Sequence, residues 1–241
     1  MRRRGPGAAS EAGGARRWAP LAALSLGLLG WSNVVVPHLP PGAGRRTLSA
    51  VAATAVLLLA ARCAGLTRAE LGLHPSTWGR GARWGAGALG VVVLGYGLVL
   101  AVPALRAGLA DPRVDALSPG EVAVRALVLI PLGTVLWEEV AFRGVLLATA
   151  QRVLPPGRAL AVTSAVFGLW HLSSAAGVPV PAAFPLPRVL SVVGVVLVTA
   201  AGGLALGWLR QRSSSLLAPV GLHLGTNSVG LAAAAAAAAL R

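Results

Sequence analysis

Seven of the 241 residues are acidic, and two of them, Glu138 and Glu139, stand side by side in a long apolar run. An ionised carboxylate at the centre of a membrane helix costs about 2.5–3.5 kcal/mol on insertion scales, so an adjacent pair there calls for a reason. Arg143 follows Glu139 by four residues, acid first, which is the helical spacing for an ion pair. Glu138 points about 100° to one side, with Phe142 one turn on. Two further apolar runs carry one imidazole each. His171 ends the run Phe167, Gly168, Leu169, Trp170, and His223 shares a helix face with Asn227, four residues later. A buried carboxylate is a candidate general base, an imidazole beside it shares its proton or holds a water, and Asn with a second His donates to a developing oxyanion. Together these groups activate water against an amide. Zinc held by Glu138, His171 and His223 is the other chemistry open to this set. Other nucleophiles are poorly served. Cys63 is a single thiol in a different region, no serine elbow surrounds Ser173 or Ser174, and no HExxH run occurs.

The elements that must carry these residues are membrane helices. Hydrophobic residues make up 56% of the chain and charged residues 12%, about half the share of a soluble domain. Mean hydropathy is +0.74. So apolar a chain cannot hide its surplus in one soluble core, and the composition predicts an all-α, polytopic membrane bundle of about seven transmembrane helices. The candidate spans are 18–36, 47–66, 84–105, 122–151, 159–178, 189–209 and 213–240. Turn-like runs separate them: Pro40, Pro41 and Gly42; Pro155, Pro156 and Gly157; and 178–187 with its four prolines. At 1.5 Å per residue, Glu138, His171 and His223 fall about 20, 18 and 15 Å from the same end of their spans. One carboxylate and two imidazoles are thereby expected near one level. Gly221 and Gly225 bracket His223, and Gly203 with Gly207 repeat the spacing in the preceding span, a pattern that lets helices approach closely.

The net charge of +14 comes entirely from Arg. These residues lie between the apolar runs and form no continuous basic face, so they read as topological charge and nucleic acid is not expected as a partner. With the N-terminus in the cytoplasm, seven spans place thirteen Arg inside and seven outside. The positive-inside rule therefore predicts a multi-pass cell-membrane protein with a cytoplasmic N-terminus. No small-x-small cleavage site closely follows the first apolar run, where Asn33 and three valines stand, so that run is expected to remain as an anchor.

The ordered set resembles the CPBP family, the CAAX proteases and bacteriocin-processing enzymes also called the ABI family. That family carries EExxxR, FxxxH and HxxxN or HxxxB motifs on separate membrane helices. Here they read Glu138-Glu139-x-x-x-Arg143, Phe167-x-x-x-His171 and His223-x-x-x-Asn227, complete and in order. The segment Gly65 to Leu73 also resembles a short stretch these proteins carry before the core. The resemblance covers roughly residues 65–240 and so implies a protease core at 65–241, leaving outside it an Arg-rich tail at 1–17, expected to be disordered from its composition, and two N-terminal spans at 18–64. It implies an intramembrane endopeptidase in which Glu138 activates water with help from His171. His223 and Asn227 then form the oxyanion site, Arg143 positions the glutamates mainly through Glu139, and Phe167 packs. The family is labelled a metalloprotease family, and a metal-independent glutamate mechanism is also proposed for it, so either no cofactor or one divalent metal is implied. Asn227, a good donor and a poor zinc ligand, favours the glutamate mechanism.

The expected partners are the lipid bilayer and a membrane-associated peptide or protein. Two other functions compete. A non-proteolytic membrane scaffold or bacteriocin immunity factor would keep the motif residues for folding. A transporter or proton relay would use intramembrane Glu and His, but the chain lacks an evident inverted repeat and its polar residues gather at one site.

Overall fold

The computed structural model describes residues 6–177 and 188–240, with side chains from residue 16. The proline-bearing connection 178–187 and the start of the expected tail, 1–5, lie outside the described residues. Those described are helical, without a strand. Among the described residues six helices are long and apolar enough to cross a membrane: α1 (Arg16–His38), α2 (Ala43–Cys63), α3 (Pro75–Ala101), α4 (Pro119–Gln151), α5 (Pro156–Ala176) and α6 (Arg188–Ser213). The helix that contains α1 starts at Pro6, within the stretch expected as a tail. The seventh expected span is helical but is not among the six. It runs as α7 (Leu217–Leu224), a π-helical turn (Gly225–Val229) and α8 (Gly230–Ala239). His223, Thr226, Asn227 and Ser228 cluster in its middle and dilute its apolar character.

The helices sort into two compact units. One comprises residues 1–39 and 146–205, the other 40–145 and 206–241. In the second unit α7 lies on α3 with almost nothing between the backbones. A Cβ on Gly221 would stand 2.3 Å from the Gly85 carbonyl oxygen, and one on Gly85 would stand 2.4 Å from the Leu217 oxygen. Gly225 meets Val92 in the same groove, so the small residues on either side of His223 fix its height against α3.

The 65–73 segment turns at Gly65 and Gly72, both in the left-handed region that favours glycine. Thr67 and Glu70 cap one another across the turn, with Thr67 N donating to Glu70 Oε2 at 2.7 Å and Glu70 N to Thr67 Oγ1 at 3.2 Å. Arg210 ties the turn to the end of α6 by donating from Nη2 to the Glu70 carbonyl at 2.7 Å. Leu216 N donates to the Gly72 carbonyl at 3.0 Å, next to the start of α7.

In the first unit Gly168 of α5 packs on Val196 and Ala200 of α6, and Gly203 of α6 packs on Ser164 and Phe167 of α5. Each removes a Cβ where another helix must pass.

Candidate active site

In the second unit Glu138, Glu139, Arg143 and His223 are withdrawn from solvent, with relative exposures of 7%, 0%, 3% and 4%. Arg143 Nη1 donates to Glu139 Oε1 at 3.1 Å, and His223 Nδ1 lies 2.7 Å from the same oxygen. A carboxylate already facing a guanidinium accepts, so the imidazole proton on that side sits on Nδ1. The other ring nitrogen, Nε2, is 3.8 Å from Glu138 Oε2. His223 therefore reaches from α7 to both glutamates.

Local geometry makes this reach feasible. The helix from Glu139 to Leu146 is π-helical, wound with i→i+5 hydrogen bonds. A wider turn rotates fewer degrees per residue than the α-helical 100°, so adjacent residues diverge less. The HxxxN motif has its own π-helical turn at Gly225–Val229, which contains Asn227. Such turns recur at functional sites. The α-helical spacing read from sequence thus describes the motifs only approximately.

Among the described residues no group of three His, Cys, Asp or Glu could hold a metal ion, and the hydrogen bond of His223 Nδ1 to Glu139 leaves Nε2 as the ring's other coordinating or hydrogen-bonding nitrogen.

Asn227 stands one turn beyond His223 and lines a cavity of about 510 Å³ within the second unit. Trp137, next to Glu138 in sequence, is buried at 6% exposure, and so is Trp170, which precedes His171 in the first unit.

His171 belongs to the first unit, where it sits at a break in α5. The helix runs to Trp170 and resumes at Leu172. The imidazole Nδ1 lies 2.8 Å from the Phe167 carbonyl oxygen, which only accepts, so Nδ1 carries the proton and Nε2 is the accepting nitrogen. The Phe167 ring meets the imidazole edge-on, with centroids 4.8 Å apart. The FxxxH spacing thereby fixes both the tautomer and the ring plane.

Two residues that sequence reasoning left without a role hold this break together. A helix break orphans backbone groups, and α1 supplies their partners. Asn33 Nδ2 donates to the Leu169 carbonyl at 3.1 Å, while its Oδ1 accepts from Ser173 N at 2.8 Å. The Ser32 hydroxyl donates to the Trp170 carbonyl. The available signal was the pair of polar residues inside an otherwise apolar span.

Comparison with known families finds one match. Residues 120–229 fit the family model described as Rce1-like, type II CAAX prenyl endopeptidase Rce1-like. Neither the curated proteins nor the solved structures give a match. The matched stretch contains Glu138, Glu139, Arg143, Phe167, His171, His223 and Asn227, and omits α1 to α3. It begins one residue into α4 and ends at the close of the π-helical turn that carries Asn227. The stretch that bears all three motifs is thus similar to the type II CAAX prenyl endopeptidase family, in agreement with the resemblance read from the motifs.

Proposed function

We propose that the protein hydrolyses a peptide bond of a membrane-associated protein by glutamate-activated water, with Glu138 as the base. The observation that supports this reading is the division of labour between the paired glutamates. Glu139 accepts from Arg143 and lies 2.7 Å from His223 Nδ1, while Glu138 faces the other ring nitrogen, Nε2, at 3.8 Å. Glu139 holds the machinery and Glu138 does the proton transfer.

The steps balance as follows. Glu138 takes a proton from water, and the hydroxide adds to the scissile carbonyl carbon. The carbonyl oxygen becomes an oxyanion, which accepts hydrogen bonds from Asn227 Nδ2 and from His223 Nε2–H. Since the Nδ1 proton is already given to Glu139, donation from Nε2 requires the ring to be an imidazolium in this step. Positive charge is in place before the oxyanion forms, which is the preorganisation that such sites supply. Collapse of the tetrahedral intermediate breaks the C–N bond, and Glu138 returns its proton to the leaving amine. His171, whose tautomer presents an accepting Nε2, is assigned to holding the attacking water on the family resemblance.

Quantitative terminal proteomics on membranes tests this reading. A deletion strain carrying the wild-type chain is compared with one carrying Glu138→Gln at equal abundance. New peptide termini are expected with wild type, and the variant should lose activity by about 10²–10⁴-fold, the usual contribution of a general base. Termini that persist with Glu138→Gln would remove Glu138 from the reaction.

A further inference from the structure

Near the start of α3 the second unit carries an open groove of about 650 Å³ that holds none of the motif residues. Arg80, Arg83, Trp84, Gly87 and Val91 of α3 line it together with Leu209 of α6, and none of its described lining residues is acidic. Two features fix its depth in the membrane. The uncharged run of α3 begins at Trp84, and that of α6 ends at Leu209, so both helices pass from apolar to charged sequence at this level. Trp84 also meets Trp208 edge-on, with ring centroids 5.6 Å apart, and both rings are exposed where an interfacial belt places them. The cations stand at the mouth. Arg80 Nε donates to the Ser213 carbonyl at the end of α6 at 2.8 Å, which anchors the guanidinium with one of its five N–H donors. Arg83 follows one turn on and is exposed.

The groove therefore has a charged end and an apolar end. Along α3, Gly87 lies about 10 Å deeper than Arg80, and Val91 about 12 Å deeper than Arg83. Both distances stay within one leaflet of a ~30 Å hydrocarbon core. Gly87 keeps the apolar end open, since a Cβ there would meet nothing within 4 Å. A ligand that fills both ends is an amphiphile with its charge at headgroup level, and the bilayer itself supplies such a molecule. That charge is negative. A zwitterionic headgroup would set another cation beside the two guanidiniums, whereas a phosphate diester accepts from them in forked pairs. We propose that this groove binds an anionic phospholipid, with the phosphate at Arg80 and Arg83 and an acyl chain along Gly87 and Val91. The positive-inside rule expects this end of α3 in the cytoplasm, on the leaflet that carries anionic lipid. The site stands whether or not the protein is a peptidase.

Native mass spectrometry of the full-length protein, delipidated in detergent, tests this by titration with dioleoyl phosphatidylglycerol or dioleoyl phosphatidylcholine. One phosphatidylglycerol should be held about 10- to 30-fold more tightly than phosphatidylcholine, because each cation near an anionic headgroup is worth about five-fold. Arg83→Gln should weaken phosphatidylglycerol by about five-fold, and Arg83→Lys, which keeps the charge, should hold it near the wild-type level. Arg80→Gln/Arg83→Gln should bring the two lipids level. Gly87→Leu fills the apolar end, and both lipids should then bind more weakly. A Cβ at that position clashes with nothing and Leu is the better helix former, so the fold tolerates this variant even if loss of the Arg80 anchor does not. Inorganic phosphate at millimolar concentration should leave bound phosphatidylglycerol in place. Displacement by inorganic phosphate would mark a free-anion site and overturn the proposal. Equal affinity of wild type for the two lipids would overturn it too, as would a preference that survives Arg83→Gln undiminished. Binding that depends on Arg83 but ignores Gly87→Leu would reduce the groove to a surface charge and overturn the lipid site as well.

Discussion

Two carboxylate–guanidinium pairs in the second unit have opposite surroundings. Asp111 and Arg113, in the loop before α4, make a two-pronged contact with a closest approach of 2.8 Å. Glu139 and Arg143, inside α4, make a single contact at 3.1 Å. By distance and number of bonds the loop pair is the better one. The order reverses once solvent is considered. The loop side chains are 28% and 71% exposed, against 0% and 3% for the buried pair. An exposed pair trades good hydration for a screened attraction and is worth about 0.2–1 kcal/mol. A buried pair gains little over an apolar replacement, yet loss of one partner strands a charge and costs about 3–5 kcal/mol. Geometry alone therefore misjudges which contact matters, and the buried pair also holds His223.

The sharpest way to break the comparison is Arg143→Met. It should lower stability by about 3–5 kcal/mol, read as the shift in denaturant midpoint in detergent micelles. The cause is the stranded Glu139 charge, so neutralising that charge should restore most of the loss. Glu139→Gln supplies the test, because the amide Oε1 still accepts from His223 Nδ1 while needing no cation. The double variant Glu139→Gln/Arg143→Met should be more stable than Arg143→Met alone. Independent, additive losses would show that Arg143 acts by packing.

Asn33 occupies the middle of the scale. Asn33→Ala removes the acceptor of Ser173 N and the donor to the Leu169 carbonyl at the break beside His171. Stranded backbone groups cost about 1–3 kcal/mol. Hydrogen exchange at the Ser173 amide should accelerate correspondingly, while protection in α3 and α7 stays as in wild type. Unchanged protection at Ser173 would free Asn33 of this role.

These contrasts also show what sequence can and cannot convey. Composition and run length were enough for a polytopic helical membrane protein, because they express the bilayer's demand on each span separately. The Glu139–Arg143 pair was legible because both members lie on one helix. The glycines around His223 announced a close helix contact, and α3 provides it at Gly85. What stayed hidden depends on neighbours distant in the chain or on departures from α geometry. Glu138 meets His223 across 85 residues of sequence. The π-helical turns under both motifs leave no mark in a 3.6-residue period. The partners of Asn33 and Ser32 become visible only where α5 breaks opposite them. The two compact units interleave along the chain, so no composition shift marks their boundaries. Arg80 and Arg83 read as topological charge until a groove opened beside them.

The smallest effect belongs to the loop pair, and it carries a pH signature. Hydrogen bonds from Arg113 hold the Asp111 carboxyl below its ordinary range, and partial burial opposes this only in part. Because the folded state favours the ionised form, the pair stabilises the loop above the ordinary aspartate range. That contribution fades as pH falls through the lowered value, where folded and unfolded chains bind the same proton. Asp111→Asn isolates the charge, since Asn can still accept from Arg113 N and keep the cap at Pro112. At neutral pH the variant should lose at most about 1 kcal/mol, the scale of a solvent-screened pair. Wild type and variant should then converge as the pH is lowered below about 4, the ordinary aspartate value. A constant gap across that range would assign the effect to the cap rather than to the ion pair, and a gap as large as that of Arg143→Met would erase the distinction between the exposed and the buried site.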